Sequence, residues 1–187
     1  LEERLRELSP PERRLLMRAA AIGPRFDLVV LAGLTRDSPA RVRASLASAC
    51  LLQLVEPVDG VPDRFQFRHA LTRDAVYREL VEAPLRRLHR TIARVLERLP
   101  EERRPAVEEL AYHWGAARDA ARGARYNEEA GDRAAALYAR DEALRYYRRA
   151  FELAAGADAR TRIAAKVNGI ERSSVATDAH EGSQTVR

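Results

Sequence analysis

The stretch Phe65-Gln66-Phe67-Arg68-His69-Ala70-Leu71-Thr72-Arg73-Asp74-Ala75-Val76-Tyr77 concentrates the groups best placed to do chemistry. Phe65 and Phe67 alternate as in a short strand. Leu71, Ala75, Val76 and Leu80 recur as on one face of a helix running from His69 to Ala83. A strand therefore feeds directly into a helix. The first turn of a helix exposes backbone N–H groups and a partial positive charge, which together favour an anion. Arg68 and His69 stand at that turn, and His69 is a donor that can also gain charge. Phosphate contact is the functional reading of the pair. In the plainer reading, His69 caps the helix and Arg68 pairs with a carboxylate.

Elsewhere the familiar catalytic constellations are missing. No GxxxxGK[ST] phosphate loop, no GxGxxG after a strand and no G-x-S-x-G elbow occurs. His69, His89, His113 and His180 are scattered without metal-ligand spacing, so no metal and no resident cofactor is expected. Glu108-Glu109 and Glu128-Glu129 are neighbours that diverge by about 100° on a helix, and they read as solvated faces. Cys50 and Trp114 sit on apolar helix faces and read as core. Arg86-Arg87-His89-Arg90 reads as a solvated face, with a docking surface for a carboxylate as the sharper alternative. The chain reads as non-catalytic.

The elements that must position these residues are mostly helical. Of 187 residues, 46% are hydrophobic and only 6% aromatic, a helix former's composition with enough apolar matter for a core. A first helix runs from Ser9 to Ala21 and buries Leu15, Leu16, Ala19 and Ala20, and Gly23-Pro24 stops it. A short second helix follows Asp27, and a third spans 38–52 from the cap Ser38-Pro39. Residues 54–58 and 64–68 read as two strands around the turn Asp59-Gly60-Val61-Pro62-Asp63, with Pro57 marking an edge. Three helices and a hairpin in this order spell a winged helix-turn-helix unit over residues 1–83.

Helices continue over 84–155, opened by Pro84 and Pro105 and ending with a pair at 121–137 and 139–155. A tetratricopeptide unit needs small residues where its two antiparallel helices cross. Gly131, Ala143, Tyr147 and Ala150 fall at the repeat's positions 8, 20, 24 and 27, while Asn127 and Ala130 replace its usual Trp and Leu. An ordinary antiparallel helical pair is the plainer alternative. Residues 156–187 lose the pattern and read as a frayed or disordered tail, compatible with an interrupted reading frame.

Charge gives little encouragement to a nucleic-acid reading. The net charge is +5, from 33 basic and 28 acidic residues, and Lys166 is the only lysine. Residues 1–83 contribute 13 − 12 = +1, residues 84–155 contribute 15 − 12 = +3, and residues 156–187 contribute 5 − 4 = +1. No dense phosphate-tracking stripe emerges from that count. A DNA reader would use the 38–52 helix, where Arg41 and Arg43 are the only strong donors, so DNA is not the expected partner of this unit. One cysteine and no long apolar run predict a cytoplasmic protein without a membrane partner.

"FRHALTRDAVYREL" followed by "RRLHRTIARVLERL", with "LSPPERRLLMRAAAIGPRFDLVVLAGL" upstream, resembles bacterial signal-transduction ATPases with numerous domains. These include large ATP-binding regulators of LuxR type and predicted ATPases joined to cyclase domains. The resemblance covers roughly residues 8–155. It implies a nucleotide-binding domain upstream, a winged helix acting as regulatory arm, and repeats that sense a protein or small-molecule effector. In relatives of the family a Met-His-Asp motif stands at the strand-to-helix junction, and its histidine is implied to touch bound ADP. The matching residues here are Arg68, His69 and Ala70, with Ala70 in place of the acid. ATP or ADP is thus implied for a parent protein, not for this chain alone.

Overall fold

The computed structural model describes the backbone of residues 1–181 and the side chains of residues 1–172. The chain is mostly helical, with one small antiparallel sheet of three strands. It divides into two compact units, one from Leu1 to Arg104 and one from Pro105 onward. No helix among the described residues is long and apolar enough to cross a membrane.

The first unit opens with α1 (Glu2–Arg6) and α2 (Pro10–Ile22). Glu12 turns back to accept the Ser9 backbone N–H at 2.9 Å, and the two prolines occupy the opening turn, where an N–H would have no helical partner. Leu15, Leu16, Ala19 and Ala20 are buried, as their spacing predicts. There follow β1 (Arg25–Asp27), α3 (Leu28–Thr35), α4 (Pro39–Ser45) and α5 (Ala47–Leu51). Next come β2 (Val55–Pro57), β3 (Arg64–Phe67), α6 (Ala70–Arg78) and α7 (Glu82–Glu97). Asp27 caps α3 by accepting the Val29 N–H at 2.8 Å.

Three details depart from the sequence reading. The hairpin gains a third strand: the sheet order is β1-β3-β2, with Phe26 opposite Phe65 and Val55 opposite Phe67. Phe26 lies 6.1 Å from Phe65 and 5.8 Å from Phe67 between ring centroids, so the extra strand brings a third aromatic ring into the core. The 38–52 helix is interrupted at Leu46, whose N–H is shared between the carbonyls of Val42 and Arg43, each at 3.1 Å. Finally, α7 packs on α2 and α3 and so belongs to the first unit, not to the helices after residue 83. Ile92, Ala93 and Leu96 are buried there, and Gly33 of α3 admits Val95 so closely that a Cβ would stand 2.8 Å from its Cγ1.

The second unit comprises α8 (Val107–Ala116), α9 (Ala120–Ala136), α10 (Arg140–Leu153) and α11 (Ala157–Glu181), each packed on the next. The connections at 117–119, 137–139 and 154–156 are too short for anything but a sharp reversal. Arg118 and Tyr138 take left-handed φ values of 54° and 58° to close the first two reversals. The frayed tail expected from residue 156 is instead helix over the described part. Ile163 is buried against Ala134, Tyr147 and Ala150, with Val167 and Ile170 packed alongside. Apolar residues at steps of four and three hold α11 down, and residues 182–187 lie outside the described residues.

Candidate functional site

The β3–α6 junction is a fixed platform with an uncovered top. Phe65 and Phe67 are buried beneath it, and the Arg68 N–H donates to the Leu54 carbonyl at 3.1 Å. Thr72 and Val76 face α6 inward. Arg73 Nε donates to the Ala20 carbonyl at 3.1 Å, and Arg13 grips Glu79 with two bonds of 3.0 and 2.7 Å. Those contacts tie α6 to α2 at both ends. Arg68, His69, Ala70 and Leu71 are all exposed on top, Leu71 at 77%.

His69 is the N-cap of α6, with φ −136° and ψ 138°, and its carbonyl accepts from Thr72 and Arg73 at 3.0 and 3.3 Å. Its side chain makes no capping bond, so the plain role of side-chain cap is not the one it fills. Arg68 does pair with a carboxylate, Glu56, but at 3.8 Å and with both side chains well exposed. A pair of that kind is worth at most about 1 kcal/mol and yields readily to a better anion. The free first-turn N–H groups of α6, an exposed imidazole and a loosely held guanidinium are thus consecutive along the chain at this exposed junction.

Beneath the platform, His89 is turned inward, although it stands in a basic run on α7. It is buried and shares a 3.0 Å hydrogen bond with the Tyr77 hydroxyl. Burial, aided by the nearby Arg73 charge, pushes its pKa down to about 4, so the ring is neutral at physiological pH. Arg73 in turn lies 5.0 Å over the Tyr77 ring. His89 supports the platform; it is not available to a ligand.

The candidate DNA-reading residues are differently occupied. Arg41 is exposed and sits 3.7 Å from Asp37, whereas Arg43 is bonded to Asp63 in the β2–β3 turn and lies over Phe65 at 5.7 Å. Arg43 thus fastens α4 to the hairpin. Ser48 is also spent, donating to Glu12 at 2.5 Å.

In the second unit Gly131, Ala143, Tyr147 and Ala150 meet where α9 crosses α10, and all four are buried. A Cβ on Gly131 would stand 2.5 Å from Tyr147 Cδ1, so a hydrogen is all that fits there. The Tyr147 hydroxyl donates to Asp132 at 2.7 Å, and burial together with Asp132 raises its pKa above the ordinary phenol range. Lys166 of α11 reaches Asp132 at 2.6 and 2.8 Å and Glu128 at 2.8 Å. Arg162 forks onto Glu128 at 2.9 and 2.8 Å. Glu128 is accordingly not a solvated residue: its side chain is 12% exposed, and Arg162, with Lys166, holds its pKa at about 2. Nothing in the sequence around Glu128 marked this, because its partners lie 34 and 38 residues away in the segment read as tail.

A shallow groove of about 740 Å³ opens between α8, α9 and α10, with Tyr112, Asn127, Arg145, Tyr146 and Arg148 among its lining. Asn127 is buried and donates to the Gly123 carbonyl at 2.7 Å. Arg145, Arg148 and Arg149 pair with Glu142, Glu171 and Glu152 at 2.9, 3.0 and 2.7 Å, so the arginines at the groove are matched by carboxylates. Among the described residues no cluster of His, Cys, Asp or Glu has the geometry to hold a metal ion. No family model, curated protein or solved structure matches the chain.

Proposed function

We propose that this chain is a non-catalytic regulatory and interaction region of a larger ATP-dependent signalling switch. In this reading residues 1–104 are a winged-helix arm that restrains an upstream nucleotide-binding domain. The later helices are tetratricopeptide-like pairs whose groove senses a protein or small-molecule effector. The observation that carries the reading is His69, exposed at the head of an anchored helix with its side chain unspent on a cap. ADP phosphates bound by the upstream domain would meet His69, Arg68 and the first-turn N–H groups of α6, which favours the closed arm. An effector on the repeats that prefers the open arm would shift the balance, by no more than its difference in affinity for the two states. Transcription control or a linked cyclase is the output implied by the resemblance, in a cytoplasmic protein.

The test is a chain extended upstream in the same reading frame. The reading expects a GxxxxGK[ST] loop after a strand in that extension and a purified protein that carries ADP. A start codon immediately before Leu1, or an extended chain that retains no nucleotide, would leave a free-standing helical adaptor instead.

A further inference from the structure

The arginines of α7 are segregated in a way that counting charge by segment hides. Arg86, Arg87, Arg90, Arg94 and Arg98 follow one another along this helix and its C-cap. At 100° per residue they fall within an arc of about 120°, opposite the face that buries Ile92 and Leu96. From Arg86 to Arg98 the stripe rises about 18 Å. Glu97 is the one acidic residue on that arc, which leaves four positive charges net. Arg87, Arg94 and Arg98 are exposed, and Arg86 and Arg90 are half-buried.

Arginines on the other helices are mostly matched with carboxylates. Arg13, Arg43, Arg122, Arg133, Arg145, Arg149 and Arg162 all hold one. On α7 none of the five is paired among the described residues, and the buried Nε of Arg90 has no hydrogen-bond partner. A solvated face would have no reason to collect like charges. Arg86, Arg90, Arg94 and Arg98 repel at successive i,i+4 steps. A polyanion laid along the stripe relieves that cost.

We propose that this arginine face binds a nucleic-acid backbone without regard to sequence. A rise of 18 Å passes about five phosphates of one strand, at 3.4 Å each along the axis. Guanidinium forks suit phosphate oxygens, and no Asn, Gln or Lys on the stripe is placed to read base edges. An anionic membrane fits less well, because the apolar face of α7 is already used in the core and cannot enter a bilayer. An acidic protein would need several unpaired carboxylates in line, with the same repulsion in reverse. The inference stands apart from the ATP-switch reading and from Arg41 and Arg43, since it uses a different helix and needs no nucleotide.

The test is fluorescence anisotropy of a labelled 20-base-pair duplex of arbitrary sequence, titrated with the whole chain between 50 and 200 mM salt. With four net phosphate contacts, the slope of log K against log salt should be near −3.6, a loss of roughly 100-fold over that range. Arg87→Gln/Arg94→Gln/Arg98→Gln removes three exposed charges and should flatten the slope to about −1. Arg145→Gln/Arg148→Gln/Arg149→Gln removes as much charge from the groove and should leave the slope unchanged. The proposal fails if the duplex does not bind at 50 mM salt with a Kd below about 10⁻⁴ M, the weak end of sequence-independent binding. It fails equally if the two triple variants lose affinity alike, or if vesicles rich in phosphatidylserine bind in an α7-dependent way while the duplex does not.

Discussion

Replacing Gly131 by Ala should destabilise the second unit, against the usual sense of a Gly→Ala change inside a helix. In an open position the added methyl stabilises by about 1 kcal/mol through helix propensity alone. At residue 131 it would sit 2.5, 2.6 and 3.1 Å from Cδ1, Cε1 and Cγ of Tyr147. The ring is poorly able to yield, because its hydroxyl is held by Asp132 and Lys166 lies 5.6 Å over its face. Overpacking of this kind costs about 1–3 kcal/mol, and pulling the hydroxyl off a carboxylate costs about 1.5–3 kcal/mol more. Even the smaller of those costs cancels the propensity gain, and with both a net loss of about 1.5–5 kcal/mol is expected. For a unit of this size that lowers Tm by roughly 4–8 °C per kcal/mol. Trp114 is the single tryptophan and is fully buried in α8, so its fluorescence reports this unit selectively. Gly115→Ala, where no heavy atom stands within 4 Å of the new methyl, should raise Tm in the same assay. Tyr147→Leu should remove the penalty of Gly131→Ala when the two are combined. If Gly131→Ala alone stabilises as much as Gly115→Ala, the close crossing of α9 and α10 is wrong.

Acid should loosen the two units in different windows. His89 is buried neutral with its pKa lowered from 6.5 to about 4, so its contribution is complete above pH 6.5 and lost as pH falls toward 4. The effect is on the order of 3 kcal/mol, and an imidazole resonance that titrates in the folded state near 6.5 would contradict it. Glu128, lowered from 4.5 to about 2, contributes fully above pH 4.5 and loses its effect as pH falls toward 2. Glu128→Gln should therefore lower the urea midpoint of Trp114 fluorescence at pH 7 and make little difference near pH 2. Asp27→Ala should cost about 1 kcal/mol through the lost α3 cap, read in urea by circular dichroism; no loss would mean that the Val29 N–H finds another acceptor.

Much of the helical layout was legible in the sequence because its signals are local. Ser9, Glu12 and the prolines fix the start of α2, and the spacing of Leu15, Leu16, Ala19 and Ala20 fixes its buried face. The crossing residues of α9 and α10 were legible too, since small residues in register have one obvious use. What escaped depends on distant partners. β1 is three residues long, too short for an alternating pattern, and exists because β3 offers it an edge. The allegiance of α7 rests on Gly33 meeting Val95, 62 positions apart. α11 reads as a tail until Glu128 and Asp132 supply partners for Arg162 and Lys166. At the candidate site the sequence located Arg68 and His69, but not their exposure or the inward turn of His89, because both follow from how α6 rests on α2 and α7.

The regulatory reading turns on whether His69 touches bound nucleotide. The direct measurement is the rate at which the upstream-extended protein releases labelled ADP, compared with its His69→Ala variant. One hydrogen bond to a charged phosphate is worth about 1.5–3 kcal/mol, so release should quicken by roughly 10-fold or more. An unchanged rate, in a variant that melts like the parent, would contradict the account and leave His69 as a surface residue at a helix start.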